Sequence, residues 1–114
     1  MELLRFEDLE GYEPGGHTGV VNRFLVGKAN LGVEEVSVWH GLLRPGGRSE
    51  LHFHPASLQI YVGLKGTMVV GDGKEEKDLD VKGAVLFQAG ERHFIANRSK
   101  EDAEVLVISV PGLR

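Results

Sequence analysis

The chain has 114 residues, 13 Lys and Arg against 17 Asp and Glu, a formal net charge of −4 and no cysteine. That length allows one hydrophobic core and one domain. The acidic balance excludes a nucleic-acid partner, which needs a basic face, and the lack of cysteine excludes disulfides, thiolate ligands and a cysteine nucleophile.

The sixteen glycines are about twice the usual share of roughly 7%, which points to many tight turns and an all-β fold. Residues 1–18 read as an irregular extension, broken by Gly11, Pro14, Gly15 and Gly16. Its charged start, Met1-Glu-Leu-Leu-Arg-Phe-Glu-Asp, does not resemble a secretory leader. No apolar run approaches the roughly 18 residues of a membrane span, so a cytoplasmic protein with no membrane partner is expected.

Val20–Val26 reads as a strand, with Lys28–Gly32 as its turn. Val33–Leu43 reads as a long central strand, apolar on both faces, and Arg44-Pro-Gly-Gly-Arg48 as a turn. Ser49–His54 follows as a strand stopped by Pro55. Leu58–Val62 and Thr67–Val70 are divided at Gly63–Gly66. Asp72-Gly73 predicts a type I′ hairpin, with Glu75–Val81 pairing back. Ala84–Phe87 and His93–Ala96 flank a turn at Gln88–Glu91, and Ala103–Val110 closes the sheet. No ten-residue segment has helical periodicity, so nine or ten short antiparallel strands are expected, as in a small barrel or jelly roll.

Two segments carry the chemistry: Gly46-(x5)-His52-x-His54-(x4)-Gln59-(x6)-Gly66 and Gly83-(x4)-Gln88-x-Gly90-(x2)-His93-(x3)-Asn97. Side chains alternate along a strand, so His52 and His54 share a face while Phe53 points away. Gln59 returns beside them after the Pro55 break, and His93 follows a glycine turn on a later strand. Three imidazoles and an amide oxygen make a first shell for one divalent transition metal: Zn, Ni, Mn or Fe. Burying several unpaired imidazoles without a metal would be costly.

Both segments resemble the two motifs of the cupin superfamily, over about residues 33 to 110. The resemblance implies an all-β cupin jelly-roll barrel (a double-stranded β-helix, RmlC-like) as a single domain over residues 1–114, with one metal inside. Carried over position by position, the ligands are His52, His54, Gln59 and His93. The family's usual glutamate is Gln59 here, and its usual second-motif proline is Gln88. A neutral ligand leaves the ion one unit more positive, strengthening it as a Lewis acid and weakening its retention. The three-His-one-Gln set is similar to that of cupins that open unsaturated uronates or cyclise aromatic polyketides.

Glu50 shares parity with His52 and His54, and Tyr61 with Gln59, which makes them the candidate catalytic acid–base residues. Arg44, Arg48 and Arg92 lie near the ends of motif strands and read as solvated turn residues, with a substrate-carboxylate clamp as the alternative. His17 reads as a surface residue and His40 as a hydrogen-bonded core or rim residue. Asn97 reads as structural, and Trp39, Met68, Phe87 and Phe94 as core. The expected function is metal-assisted isomerisation, ring-opening or cyclisation of a small oxygenated molecule such as a sugar acid. The alternatives are an iron dioxygenase, a non-catalytic metal-dependent binding module, and a degenerate cupin without metal. The long central strand with exposed edges leads us to expect a homodimer.

Overall fold

The computed structural model describes residues 1–114. Eight strands form one strongly curved sheet: β1 (His17–Val26), β2 (Ser37–Ser49), β3 (Leu58–Lys65), β4 (Met68–Gly71), β5 (Glu76–Leu79), β6 (Ala84–Phe87), β7 (Phe94–Ala96) and β8 (Ala103–Val110). The order is β5-β4-β7-β2-β8-β3-β6, with β1 on the other edge of β2. β2 pairs with β8 along Ser37–Leu43 and meets β7 at Arg48, so one strand passes between two halves of a jelly-roll barrel. The ends of the order are drawn together between β5 and β6, where Val81 bridges Gly63 of β3 and Lys82 donates to the Gly63 carbonyl (2.8 Å).

Alternation sorts the side chains. Trp39, Leu43, Tyr61, Phe87, Val105 and Ser109 point inward, and Leu43, Met68 and Ala103 are almost wholly sealed. Burying each large apolar side chain contributes about 1.5–3 kcal/mol. Part of the core cluster (Val20, Leu43, Tyr61, Ile95, Val105) also walls a cavity of about 420 Å³. The outward face is apolar too: Ile60 stands between Leu86 and Ile108, Val62 between Ala84 and Leu106, and Leu58 beside Val110.

Several local expectations change. Arg44–Arg48 is not a turn: β2 runs through it, bent where Gly46 takes φ +81°. Asn97 holds the bend, its carbonyl accepting from Gly46 N and its N–H donating to Gly47 O, both at 2.8 Å. Glycine is required at position 47, where a Cβ would sit 2.5 Å from the Gly19 carbonyl oxygen. Ser49–His54 is therefore the end of β2 and an extended segment, paired only where His52 bridges His93. Lys28–Leu31 forms one helical turn, α1, closed by Gly32 in the left-handed region. Asp72-Gly73 does not make a type I′ turn, since only Gly73 has positive φ. The loop is instead tied by Asp72 Oδ1, which accepts from Lys74 N and Glu75 N at 2.8 and 2.9 Å. The strands number eight because Ser49–His54 adds no strand of its own, and the break between β3 and β4 falls after Lys65.

No helix is long and apolar enough to cross a membrane.

Candidate metal centre and its cavity

The ring nitrogens of His52, His54 and His93 lie within 4.8 Å of one another. Three chain features bring this about. The extended backbone at residues 52–54 turns His52 and His54 to one side. The His52–His93 bridge, with backbone hydrogen bonds of 3.0 and 2.8 Å, sets the third imidazole opposite the first. Phe87 then stacks on His93 (centroids 4.6 Å apart, planes 16° apart) and fixes its ring plane.

Backbone carbonyls set the tautomers. His52 Nδ1 donates to Glu50 O at 2.7 Å and His93 Nδ1 to Glu91 O at 2.9 Å, which leaves each Nε2 with a free lone pair. Outer partners of this kind orient metal-binding histidines and fix which nitrogen is free. The His93 pKa is pushed down to about 4, chiefly by burial and in smaller part by the neighbouring His52 and His54. His54 is also lowered, first by burial and then by His52.

Gln59 completes the group. It is buried in β3, where the register sets it across from Ser109 and Phe87. Its Nε2 donates to Ser109 Oγ (2.9 Å), and its Oε1 accepts from Tyr61 OH (3.3 Å). That oxygen stands 2.9 Å from His93 Nε2. Two lone-pair atoms thus face each other with no proton between them. Adjacent ligands each ~2.1 Å from one ion and at right angles stand about 3 Å apart, so this spacing fits a shared cation. Without an ion, a half-turn of the amide presents Nε2–H to His93, and the two hydroxyls reverse roles. The donor set therefore fits a divalent transition metal held by His52, His54, Gln59 and His93.

His52, His54, Gln59 and Tyr61 all line the cavity, so its contents meet the nitrogen cluster directly. Tyr61 is buried, which pushes its pKa up, and its hydroxyl is engaged with Gln59. Glu50 sits at the cavity rim and is the one carboxylate lining it. Arg44, Arg48 and Arg92 are exposed and do not line it. His40 lies on the outward face with its Nε2 2.7 Å from Glu104 Oε1. Asn97 is structural in this fold.

His17 is a correction. It lines the cavity, 6.1 Å from the His52 ring, because β1 starts opposite Ser49. Its pKa is lowered, chiefly by burial. Tyr12 and Arg114 also line the cavity. Neither lies in a motif, and no local pattern marks them.

Residues 39–109 match the family described as Cupin domain. This chain is a cupin. It is 30% identical over 93 residues to the tetracenomycin polyketide synthase protein TcmJ of Streptomyces glaucescens, covering 82% of the cupin and 62% of that relative's length. Among solved structures, it resembles a predicted oxalate decarboxylase from Thermotoga maritima (TM-score 0.86, 23% identity, 96% of this chain and 99% of that one). It also resembles the polyketide cyclase RemF from Streptomyces resistomycificus (TM-score 0.83, 20% identity, 96% and 79%). At those identities the two structures show the shared fold.

The metal-free cupin is expected to lose stability in acid. His93 is neutral in the folded chain down to about pH 4, whereas unfolded it takes a proton near 6.5. The unfolded state binds the extra proton between those values, so the contribution is complete above pH 6.5 and falls as pH drops towards about 4. His17 and His54 act in the same direction. Urea titrations of chelator-treated protein should show the midpoint falling across that window; a flat profile would contradict the burial of neutral His93.

Proposed function

We propose that this cupin is a metal-dependent enzyme that moves protons on a small oxygenated substrate, in an isomerisation, ring-opening or cyclisation. The observation that carries this reading is that His52, His54 and Gln59 converge on one wall of an open cavity, with His93 buried directly behind them. A purely structural metal would be closed off by protein ligands and apolar neighbours. A bound divalent ion would supply Lewis acidity, raised by the neutral Gln59 in place of a carboxylate.

The chain's own groups divide the remaining work. Walls of Trp39, Leu43, Val105 and Val107 exclude water and hold the substrate's carbon frame. Glu50 at the rim is the proton acceptor in this reading. Tyr61 holds Gln59 in place through its hydroxyl, and its raised pKa keeps it protonated. The likeness to a polyketide synthase protein and a polyketide cyclase supports cyclisation within this class.

The test is deuterium uptake at carbon next to a carbonyl, followed by NMR in heavy water across a panel of small keto and enol acids. Metal-loaded protein is expected to exchange at least one of them, and Glu50→Gln to lose that exchange. No exchange by the loaded protein across the panel would contradict an enzyme of this type and favour the binding-module reading.

We further propose that the protein pairs with itself through the outward faces of β3, β6 and β8. The strip of Ile60, Val62, Leu86, Leu106 and Ile108 carries no charge, while the chain carries a net −4. Two copies meet there without repulsion, and large exposed apolar patches mark interfaces. Sedimentation should give a dimer, and Ile60→Lys a folded monomer; a monomeric parent protein would refute the pairing.

A further inference from the structure

The cavity holds a second polar site, made by Tyr12 and Arg114. Arg114 is the one lysine or arginine lining it. Residues 112–114 are pinned by three hydrogen bonds: Gly112 N donates to Glu34 O (3.0 Å), Leu113 N to Ser37 Oγ (3.0 Å), and Lys28 N to Arg114 O (2.8 Å). The guanidinium lies over two rings, with its carbon 5.4 Å from the Tyr12 centroid and 5.8 Å from that of Phe24. Its Nη1 donates to Tyr12 OH at 3.1 Å. No carboxylate lies within 4.0 Å of it, so its charge is not neutralised by an ion pair inside the protein.

Tyr12 points to the same use. It is held beside β1 by its backbone bridge to Asn22. Its hydroxyl oxygen accepts from both Trp39 Nε1 (2.9 Å) and Arg114 Nη1. With the oxygen receiving two donors, its own proton is committed to no protein acceptor. Donation into the oxygen also polarises the O–H and makes it a better donor. A fixed guanidinium with free N–H groups beside such a phenol suits an anion with two oxygens.

We propose that Tyr12 and Arg114 form an anion-recognising subsite, and that the cavity takes a planar, largely apolar organic acid. Its carboxylate or ionised enol sits on these two residues and its carbon frame lies along Trp39. This deepens the reading above by naming a substrate class, and it rests on that reading only in taking the cavity as the substrate site. Arg114 and Tyr12 act as specificity-determining residues.

Calorimetry with trans-cinnamate and its neutral amide, cinnamamide, tests this in chelator-treated and zinc-loaded protein. The parent protein is expected to bind the acid about tenfold or more tighter than the amide in both forms. Arg114→Gln should cut that preference to below about threefold, and Tyr12→Phe should lower it partway. Cinnamamide affinity should hold in both variants, which reports an intact cavity. Equal binding of acid and amide, binding of neither, or an unchanged preference in Arg114→Gln would overturn the proposal. A preference seen only with zinc that survives Arg114→Gln would place the carboxylate on the metal, overturning the subsite while leaving the metal reading intact. A preference that needs Arg114 in metal-free protein supports the subsite even if the metal reading fails.

Discussion

Replacing His52 and His54 together with alanine is expected to reduce bound metal to below about a tenth of an equivalent per chain while the barrel stays folded. Two of four ligands are lost, and Gln59 with His93 alone cannot hold a divalent ion against water. Stability should change little, because both rings are only partly buried and the His52–His93 bridge is made by backbone groups that alanine keeps. His93→Ala would be a poorer test. That ring is 1% exposed, stacks on Phe87 and packs edge-on against Tyr61 and His52. Removing it would leave a cavity and cost roughly 2–4 kcal/mol, so metal loss could not be separated from loosening of the fold. Elemental analysis and circular dichroism of the double variant check the expectation; unchanged metal content would contradict the ligand assignment.

The largest expected loss of stability comes from Asn97, which touches no substrate. Its side chain is fully buried. Nδ2 donates to Leu43 O (2.9 Å) and Glu101 O (2.7 Å), while Oδ1 accepts from Ser99 N (3.0 Å) and Ser99 Oγ (2.7 Å). The residue thus ties the loop before β8 to the point where β2 bends. Asn97→Leu would leave at least two buried groups without partners, each costing about 1–3 kcal/mol. A total of about 3–5 kcal/mol is expected, or a melting temperature lower by roughly 10–20 °C. A shift of only a degree or two in thermal unfolding would show that water replaces these bonds.

Local signals in the sequence carried the fold class and the residues of the nitrogen cluster. His52 and His54 needed only their spacing of two, which places them on one side in any extended backbone, even though their segment is not a regular strand. Ala84–Phe87 and Ala103–Val110 also lie where composition and turn residues placed them. Long-range pairing decided the rest. Pro45-Gly46-Gly47 has the composition of a hairpin, but Asn97, fifty residues on, pairs with both glycines and keeps β2 continuous. His17 comes to the cavity because the β1–β2 register sets it across from Ser49, and nothing near His17 encodes that register. Tyr12 and Arg114 are the extreme case, 102 positions apart, with a significance that exists only once the fold brings the two side chains together at the cavity. β3 and β8 carry apolar residues on both faces, and only the sheet order shows which face is inward.

The central claim is that His52, His54, Gln59 and His93 hold one divalent transition metal. Elemental mass spectrometry of untagged protein purified without added metal tests it most directly. The account predicts about one equivalent of a single transition metal per chain. Content well below that, with no uptake after zinc, nickel, manganese or ferrous iron is supplied, would contradict it and leave the cavity as a metal-free binding site.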